Sequence, residues 1–358
     1  MSRTHFDAIV VGFGLSGLSV SKRLEENNKK ILIISEAGSN ASKVAGGVFN
    51  PVVLKKFNLA WNSQELYENA VPFYQQLQEQ FQENLFSEKS ILRIFKSAKE
   101  QNDWFSALGK PVLDYFLRED LKSNTNPSLN APYKMGVTKH TALLETSKLL
   151  KAYERYLKEK DWFLDASFQY NQLILDNNRV QYKDYSANHI IFCEGASVNQ
   201  NPYFEFLPIQ GNKGEYITIK AKGLQLEEMV KGSFFIVPKG NDIYKFGATY
   251  SRDYCDDLPS HDGKAQLEQK LRRMITCDFE VIDQEAGIRP TVPDRKPILG
   301  KHPKHSNVYI CNGFGSRGIL FAPTLSRQLV AAIFSGKEIP KEINVSRFYD
   351  DFDAASSL

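Results

Sequence analysis

Three glycines, Gly12, Gly14 and Gly17, stand between segments of different periodicity. Before them, FDAIVVG is a short apolar run with the β-branched content of a buried strand. After them, LSGLSVSKRLEENN spaces Leu15, Leu18 and Leu24 as one face of a helix, and KKILIISE follows as a second buried strand. Strand, glycine turn, helix and strand make a βαβ unit. In such a unit the first Gly permits the tight turn, the second lets backbone approach a pyrophosphate, and the third lets helix pack on strand. The helix N-terminus, with Leu15 and Ser16, then offers N–H groups and a positive dipole end to phosphates. Glu36 ends the second strand, nineteen residues after Gly17. A carboxylate there accepts from both ribose hydroxyls and repels a 2′-phosphate, which argues against NADP. The expectation is a dinucleotide site; a glycine-rich turn in an unrelated α/β fold is the alternative.

The chain has 358 residues, more than one core usually fills, so two domains or one with large insertions is expected. AGSNASKVAGGVFNP reads as a loop, NSQELYENAVPFYQQLQEQFQEN as a long helix and ILRIFKS as a strand. Residues 109–135 read as irregular, and TALLETSKLLKAYERYLKEK as an amphipathic helix. ASFQYNQLIL and RVQYKDYSANHIIFCEGA read as strands. GEYITIKAKG and SFFIVPKGNDIYKFGATY alternate like antiparallel strands, the second with a GND turn, and GKAQLEQKLRRMI reads as a helix. NVYICNGFGSRGILFAPTLSRQLVAAIFSG is a strand, a glycine loop and a closing helix. No repeat of solenoid period is present. The expected fold class is α/β: a Rossmann-like nucleotide domain assembled from residues 1–55, 140–200 and 285–358, with an antiparallel-sheet substrate domain from 56–139 and 201–284 threaded between.

Bulk properties narrow the function. A net charge of +3 is too small to demand nucleic acid. Apolar runs such as IVVGFGL are far short of a membrane span, and a strand already under way at Phe6 leaves no room for a signal peptide. Cys193, Cys255, Cys277 and Cys311 form no CxxC pair and no zinc spacing, so reduced cysteines, a cytoplasmic location and no metal site are expected.

Two further glycine clusters favour FAD over NAD. ASKVAGGVFNP can pass backbone along an isoalloxazine ring, with Ser42, Gly46 and Gly47 as close-approach positions. GIRPTVPDRKPILG and NGFGSRGILFAP follow near the C-terminus. The second of these offers another helix N-terminus to the charge on a reduced flavin. Residues 313–318 would line the flavin, while Phe168 borders the adenine or packs in the core.

These segments, in this order, resemble the D-amino-acid-oxidase-type (DAO) family of FAD-dependent oxidoreductases over essentially the whole chain. The resemblance implies FAD, expected to be non-covalent because Gly287 stands where covalently flavinylated relatives place a cysteine. It implies cofactor contacts from Gly12, Gly14, Leu15, Ser16, Gly17, Glu36, Ser42, Gly46, Gly47, Val48, Phe168 and Gly195. Gly313, Gly315, Ser316, Arg317, Gly318 and Ile319 complete that set, and no metal is expected. It implies oxidation of a C–N bond by hydride transfer to the flavin, with dioxygen or another carrier as electron acceptor. Arg289 of GIRP matches the family arginine that grips a substrate carboxylate, a task suited to a planar guanidinium; an ion pair with Asp294 is its alternative. Arg317 is grouped with it at the reacting end. Phe235 stands where D-amino-acid oxidases show a tyrosine hydroxyl, which disfavours a simple D-amino acid. Tyr250 either lines the pocket or merely ends a strand.

GFGSRGILFAPTLSRQLVAAIFSG also resembles the oxidase domain of the bifunctional bacterial enzyme that modifies the tRNA wobble uridine. Lys55, Lys56, Arg317 and Arg327 would then face RNA, although they read better as scattered solvated charges. The expected substrate is thus a small amine bearing a carboxylate. A tRNA-borne amine is the first alternative, and a non-catalytic flavin-binding protein the second.

Overall fold

The computed structural model describes residues 3–36, 38, 40–176 and 179–355, with side chains described to residue 352. The chain forms two compact units, one of residues 1–43, 146–212 and 288–358, the other of residues 44–145 and 213–287.

The first unit is built on a sheet that is mostly parallel. Its strand order is Phe163–Asp165, Ile31–Ser35, Thr4–Val11, Tyr185–Phe192, then Val180–Tyr182 and Leu173–Leu175. Thr4–Val11 runs parallel to both neighbours, with Val11 opposite Ile34 on one side and Phe192 on the other. Tyr185–Phe192 divides its pairing. Its first half meets Val180–Tyr182 antiparallel, and its last residues meet Val308–Asn312 in parallel. The central strands carry apolar residues on both faces, as a sheet covered on both sides requires. Ile9, Ile34, Ile190, Phe192 and Ile310 lie in one buried cluster.

Helices Leu15–Glu26 and Gly318–Ser335 pack against each other in this unit. Gly318–Ser335 has the length and apolar composition of a membrane span, which the sequence reading overlooked; 56% of it is buried inside the protein, as in a core helix.

The second unit holds a sheet ordered Glu280–Thr291, Gln210–Lys220, Ile243–Gly247, Phe235–Gly240, Met229–Lys231, Ile91–Ile94 and Met135–Val137. Its two outermost long strands enter from the first unit. The expected GND turn is present, with Asn241 and Asp242 both at positive φ (53° and 60°) between antiparallel strands. One pair departs from the antiparallel expectation: Met229–Lys231 runs parallel to Ile91–Ile94.

Pairing moves the expected domain boundaries. Val48 and Phe49 bond antiparallel to Leu143 and Ala142, so the chain after 43 and before 146 belongs to the second unit. Residues 201–212 instead join the first unit, because Phe204, Leu207 and Ile209 enter its core. Two local readings also change. The segment after Thr141 begins with a strand, Ala142–Leu144, and turns helical only at Thr146–Glu159. The presumed loop at AGSNASK contains a short helix, Ala41–Val44, started by Asn40, whose Oδ1 accepts from the N–H groups of Ser42 and Lys43 (3.0 and 2.9 Å). Ala37 and Ser39 of that stretch lie outside the described residues.

Glu194 follows strand Tyr185–Phe192 and accepts hydrogen bonds from the Tyr170 hydroxyl and from Asn201 Nδ2 (2.7 Å). Burial outweighs those bonds and pushes its carboxyl up from 4.5 to about 7. The folded state therefore holds a proton that the unfolded state releases between these values, so stability falls as pH rises from about 4.5 to 7. Glu194→Gln should flatten that decline. Thermal unfolding should show the variant matching the parent near pH 4.5 and exceeding it by on the order of 2 kcal/mol at pH 8.

Candidate functional site

Three parallel strands of the first unit end side by side, and each is followed by a glycine. Thr4–Val11 leads to Gly12, Tyr185–Phe192 to Gly195 after Cys193 and Glu194, and Val308–Asn312 to Gly313. Ligands of open α/β sheets bind beyond such carboxyl ends.

Close packing makes the first turn possible. Gly12 has φ +94°, and a Cβ there would lie 2.6 Å from the Cys193 carbonyl oxygen. A Cβ on Gly17 would fall 2.0 Å from the Gly12 carbonyl oxygen, so helix Leu15–Glu26 can start here only without a side chain at 17. The helix has no acidic residue in its first turn, which leaves its positive end available to an anion.

Residues around the turn are tied to it. Ser42 Oγ accepts from the Leu15 N–H (3.0 Å), and Asn40 Nδ2 donates to the Phe13 carbonyl (3.3 Å). Ser16 Oγ donates to the Cys311 carbonyl (2.7 Å), joining the first glycine turn to the last strand. Asn312 Nδ2 donates to the Gly195 carbonyl (2.9 Å), and its Oδ1 accepts from the Gly313 N–H (2.8 Å). One asparagine thus links the other two glycine positions. Glu36 is exposed directly after strand Ile31–Ser35. Among the described residues nothing hydrogen-bonds its carboxylate. The turn, the bare helix start and Glu36 fit the ADP half of a dinucleotide.

The C-terminal loop of this unit adjoins Arg289. Pro290, next to Arg289 on strand Glu280–Thr291, accepts at its carbonyl from the Gly315 N–H (2.8 Å). Arg289 is half-buried, and its Nη1 donates to Oδ1 of the buried Asn212 (3.1 Å). Asp294, the alternative partner weighed for Arg289, sits 3.4 Å from Arg347 Nη2 and accepts from the Lys296 N–H. Arg317 precedes helix Gly318–Ser335 as its N-cap residue. Burial first and Arg295 second lower its guanidinium to about 10, so it stays charged near neutral pH. A cation at the positive end of a helix concentrates positive potential beside this loop.

Other expected positions have different surroundings. Leu15 and Ile319 are buried core side chains, so only their backbones are available to a ligand. Phe168 stacks on Tyr182 (4.5 Å between centroids) and packs on the sheet core, which decides for packing over the adenine edge. Gly46, Gly47 and Val48 fold with the second unit rather than the nucleotide unit expected. There a Cβ on Gly47 would meet the Leu144 carbonyl oxygen at 2.3 Å, and one on Gly46 would meet the Tyr216 ring at 3.2 Å. Gly47 is therefore required by strand packing alone. Also in the second unit, Phe235 is half-buried opposite Gly247, and Tyr250 lies beyond the strand end, 64% exposed. Among the charges expected to face RNA, Lys55, Lys56 and Arg327 are exposed, whereas Arg317 is half-buried. Sequence reasoning missed Asn40, Asn212 and Asn312. Each pins a loop through its side-chain amide, and the only signal was an Asn close to a Gly or a loop.

A mostly parallel sheet with glycine turns at its strand ends, joined to a second sheet unit, is the fold of dinucleotide-dependent oxidoreductases. The chain belongs to the DAO family of FAD dependent oxidoreductases, whose model matches residues 7–332. It is 22% identical over 376 residues to glycine oxidase of Bacillus subtilis (strain 168), covering 95% of this chain and 96% of that protein. It is also 22% identical over 387 residues to the tRNA 5-methylaminomethyl-2-thiouridine biosynthesis bifunctional protein MnmC of Burkholderia pseudomallei (strain 1710b). That match takes in 96% of this chain but 58% of MnmC. Among solved structures, glycine oxidase from Geobacillus kaustophilus superposes with a TM-score of 0.79 at 20% identity, over 96% of this chain and 98% of that one.

Gly17→Val should leave purified protein nearly free of flavin, because the side chain collides with the Gly12 carbonyl. Glu36→Ala should fold normally and weaken FAD retention about tenfold, the loss of charge-assisted hydrogen bonds. Flavin content and a fluorescence titration of apoprotein with FAD check both; unchanged retention in Glu36→Ala contradicts the ribose assignment.

Proposed function

We propose that this protein oxidises the C–N bond of an amine that carries a carboxylate, an amino acid or an N-substituted glycine, with FAD held non-covalently. The observation that carries the proposal is the environment of Arg289: a half-buried guanidinium, steadied by Asn212, on a strand hydrogen-bonded to the C-terminal glycine loop. A planar guanidinium held in this way is suited to a bidentate carboxylate grip. FAD, when bound, supplies a two-electron acceptor for the hydride from the carbon beside the amine nitrogen.

The chain's own contribution is binding and orientation. Arg289 holds the carboxylate, which leaves the amine end to be positioned for reaction. Arg317, charged and set at a helix start, adds positive potential where negative charge develops. Phe235 has no hydroxyl to donate, so recognition of the substrate by a phenol at this position is excluded. The relatives' names support the substrate class, since the matched proteins include a glycine oxidase and an iminodiacetate oxidase. The cysteines are all free, in keeping with a cytoplasmic setting, which is part of the proposal. An amine borne on tRNA is the second reading, favoured by the likeness to MnmC.

Anaerobic mixing of the yellow protein with carboxylated amines should bleach the flavin, and amines lacking the carboxylate should fail to do so. No bleaching across a broad panel of amino acids and N-substituted glycines defeats the proposal. Arg289→Lys should raise KM for the active substrate by tenfold or more, a loss of at least about 1.4 kcal/mol of binding, with flavin content unchanged. Release of intact FAD on acid precipitation checks non-covalent attachment.

A further inference from the structure

The second unit gathers positive charge that amine oxidation does not use. Lys231, at the end of strand Met229–Lys231, is the register partner of Arg93 on the parallel strand Ile91–Ile94. Like charges placed opposite each other across strands are unfavourable. Arg93 is buried and already engaged. Its Nη1 donates to the carbonyls of Lys231 and Gly232 (3.2 and 3.1 Å), and its Nη2 pairs with Glu100.

Lys231 has no such compensation. Its ammonium donates to the Ser233 carbonyl (3.1 Å) and lies 4.6 Å from the centre of the Phe235 ring. Around it stand Arg93, Lys96, Lys55 and Lys270; burial, followed by the repulsion of these four, lowers its amine to about 8. Lys270, on helix His261–Leu271, lies over the Phe234 ring at 4.6 Å. Lys55 and Lys96 are exposed. Among the described residues, no carboxylate is within ion-pair distance of Lys55, Lys96, Lys231 or Lys270. In this cluster Glu100 is the sole acid engaged, and Arg93 holds it.

We infer that Lys55, Lys96, Lys231 and Lys270 form a binding site for a compact, multiply charged phosphate group. Lysines act as point charges and suit the tetrahedral phosphate, whereas planar carboxylates favour the arginine fork, and the arginine present is committed to Glu100. The four lysines surround one point instead of following a line, and Lys231 is half-buried beneath Lys55 and Lys96 in exposure. A nucleic-acid backbone needs an extended basic track with stacking rings along it, so a compact phosphate fits this arrangement better.

The test uses the FAD-loaded protein, so that the cofactor's own site is filled, and it is read without turnover, so it stands whether or not the amine-oxidase assignment holds. Calorimetric titration with inorganic pyrophosphate at low salt should show saturable one-site binding. Lys231→Ala should weaken it at least about tenfold, as should the exposed pair Lys55→Gln with Lys96→Gln. Unchanged flavin content and thermal midpoint in the exposed pair show that loss of binding is not loss of fold. Absence of binding at millimolar pyrophosphate overturns the inference, and so does equal affinity in parent and both variants. Tighter binding of a single-stranded RNA of about ten nucleotides, falling steeply with salt, overturns it in favour of an RNA surface.

Discussion

The first unit depends on how closely helix Leu15–Glu26 approaches the strand before it. With no Cβ at position 17, the helix can start against the Gly12 carbonyl; any side chain there would fall 2.0 Å from that oxygen. The same contact sets where the helix points, and so where its positive end lies. Ser16 then reaches the Cys311 carbonyl, and the helix packs on Gly318–Ser335. The last segment of the chain is thereby held against the first, although almost the whole sequence lies between them.

From that junction the arrangement of the site follows. The ends of three parallel strands lie together, and the amide of Asn312 ties Gly195 to Gly313. The Gly315 N–H reaches the carbonyl next to Arg289. An arginine on a long strand is thus placed beside a glycine loop by backbone hydrogen bonds, with Asn212 holding its guanidinium. Positive potential from Arg289, Arg317 and two helix N-termini collects in one unit, whereas the lysines about Lys231 make a separate centre in the other. The chemistry of each differs accordingly: guanidinium forks for a carboxylate, ammonium groups for phosphate.

Much of the fold was legible because local patterning carried it. Period-two and period-3.6 apolar spacing marked the strands and long helices, and a GND triplet marked a hairpin whose two turn residues do take positive φ. Glu36 and the first glycine triplet were legible for the same reason, since their roles depend on neighbours in sequence. Gly46 and Gly47 were misjudged because close approach of backbone to a ligand and close approach of backbone to a neighbouring strand demand the same residue. At Gly47 the Leu144 carbonyl supplies the demand. Phe168 was ambiguous because an aromatic side chain suits an adenine edge and a core equally until its stacking partner, Tyr182, is known. Boundaries near 55, 140 and 200 slipped because they rest on pairings such as Val48 with Leu143, made between segments far apart in sequence.

By itself, then, the sequence determined the βαβ unit, the dinucleotide turn and, through its ordered motifs, a flavin-dependent class of chemistry. These follow from short-range spacing, where steric needs and periodicity act within a few residues. Only the tertiary structure decided which charges act together. It set Asn212 against Arg289, drew Arg347 onto Asp294, and opposed Lys231 to Arg93 across two parallel strands. Electrostatic partnership depends on distance in space and on burial, and neither is written in the spacing of residues along the chain.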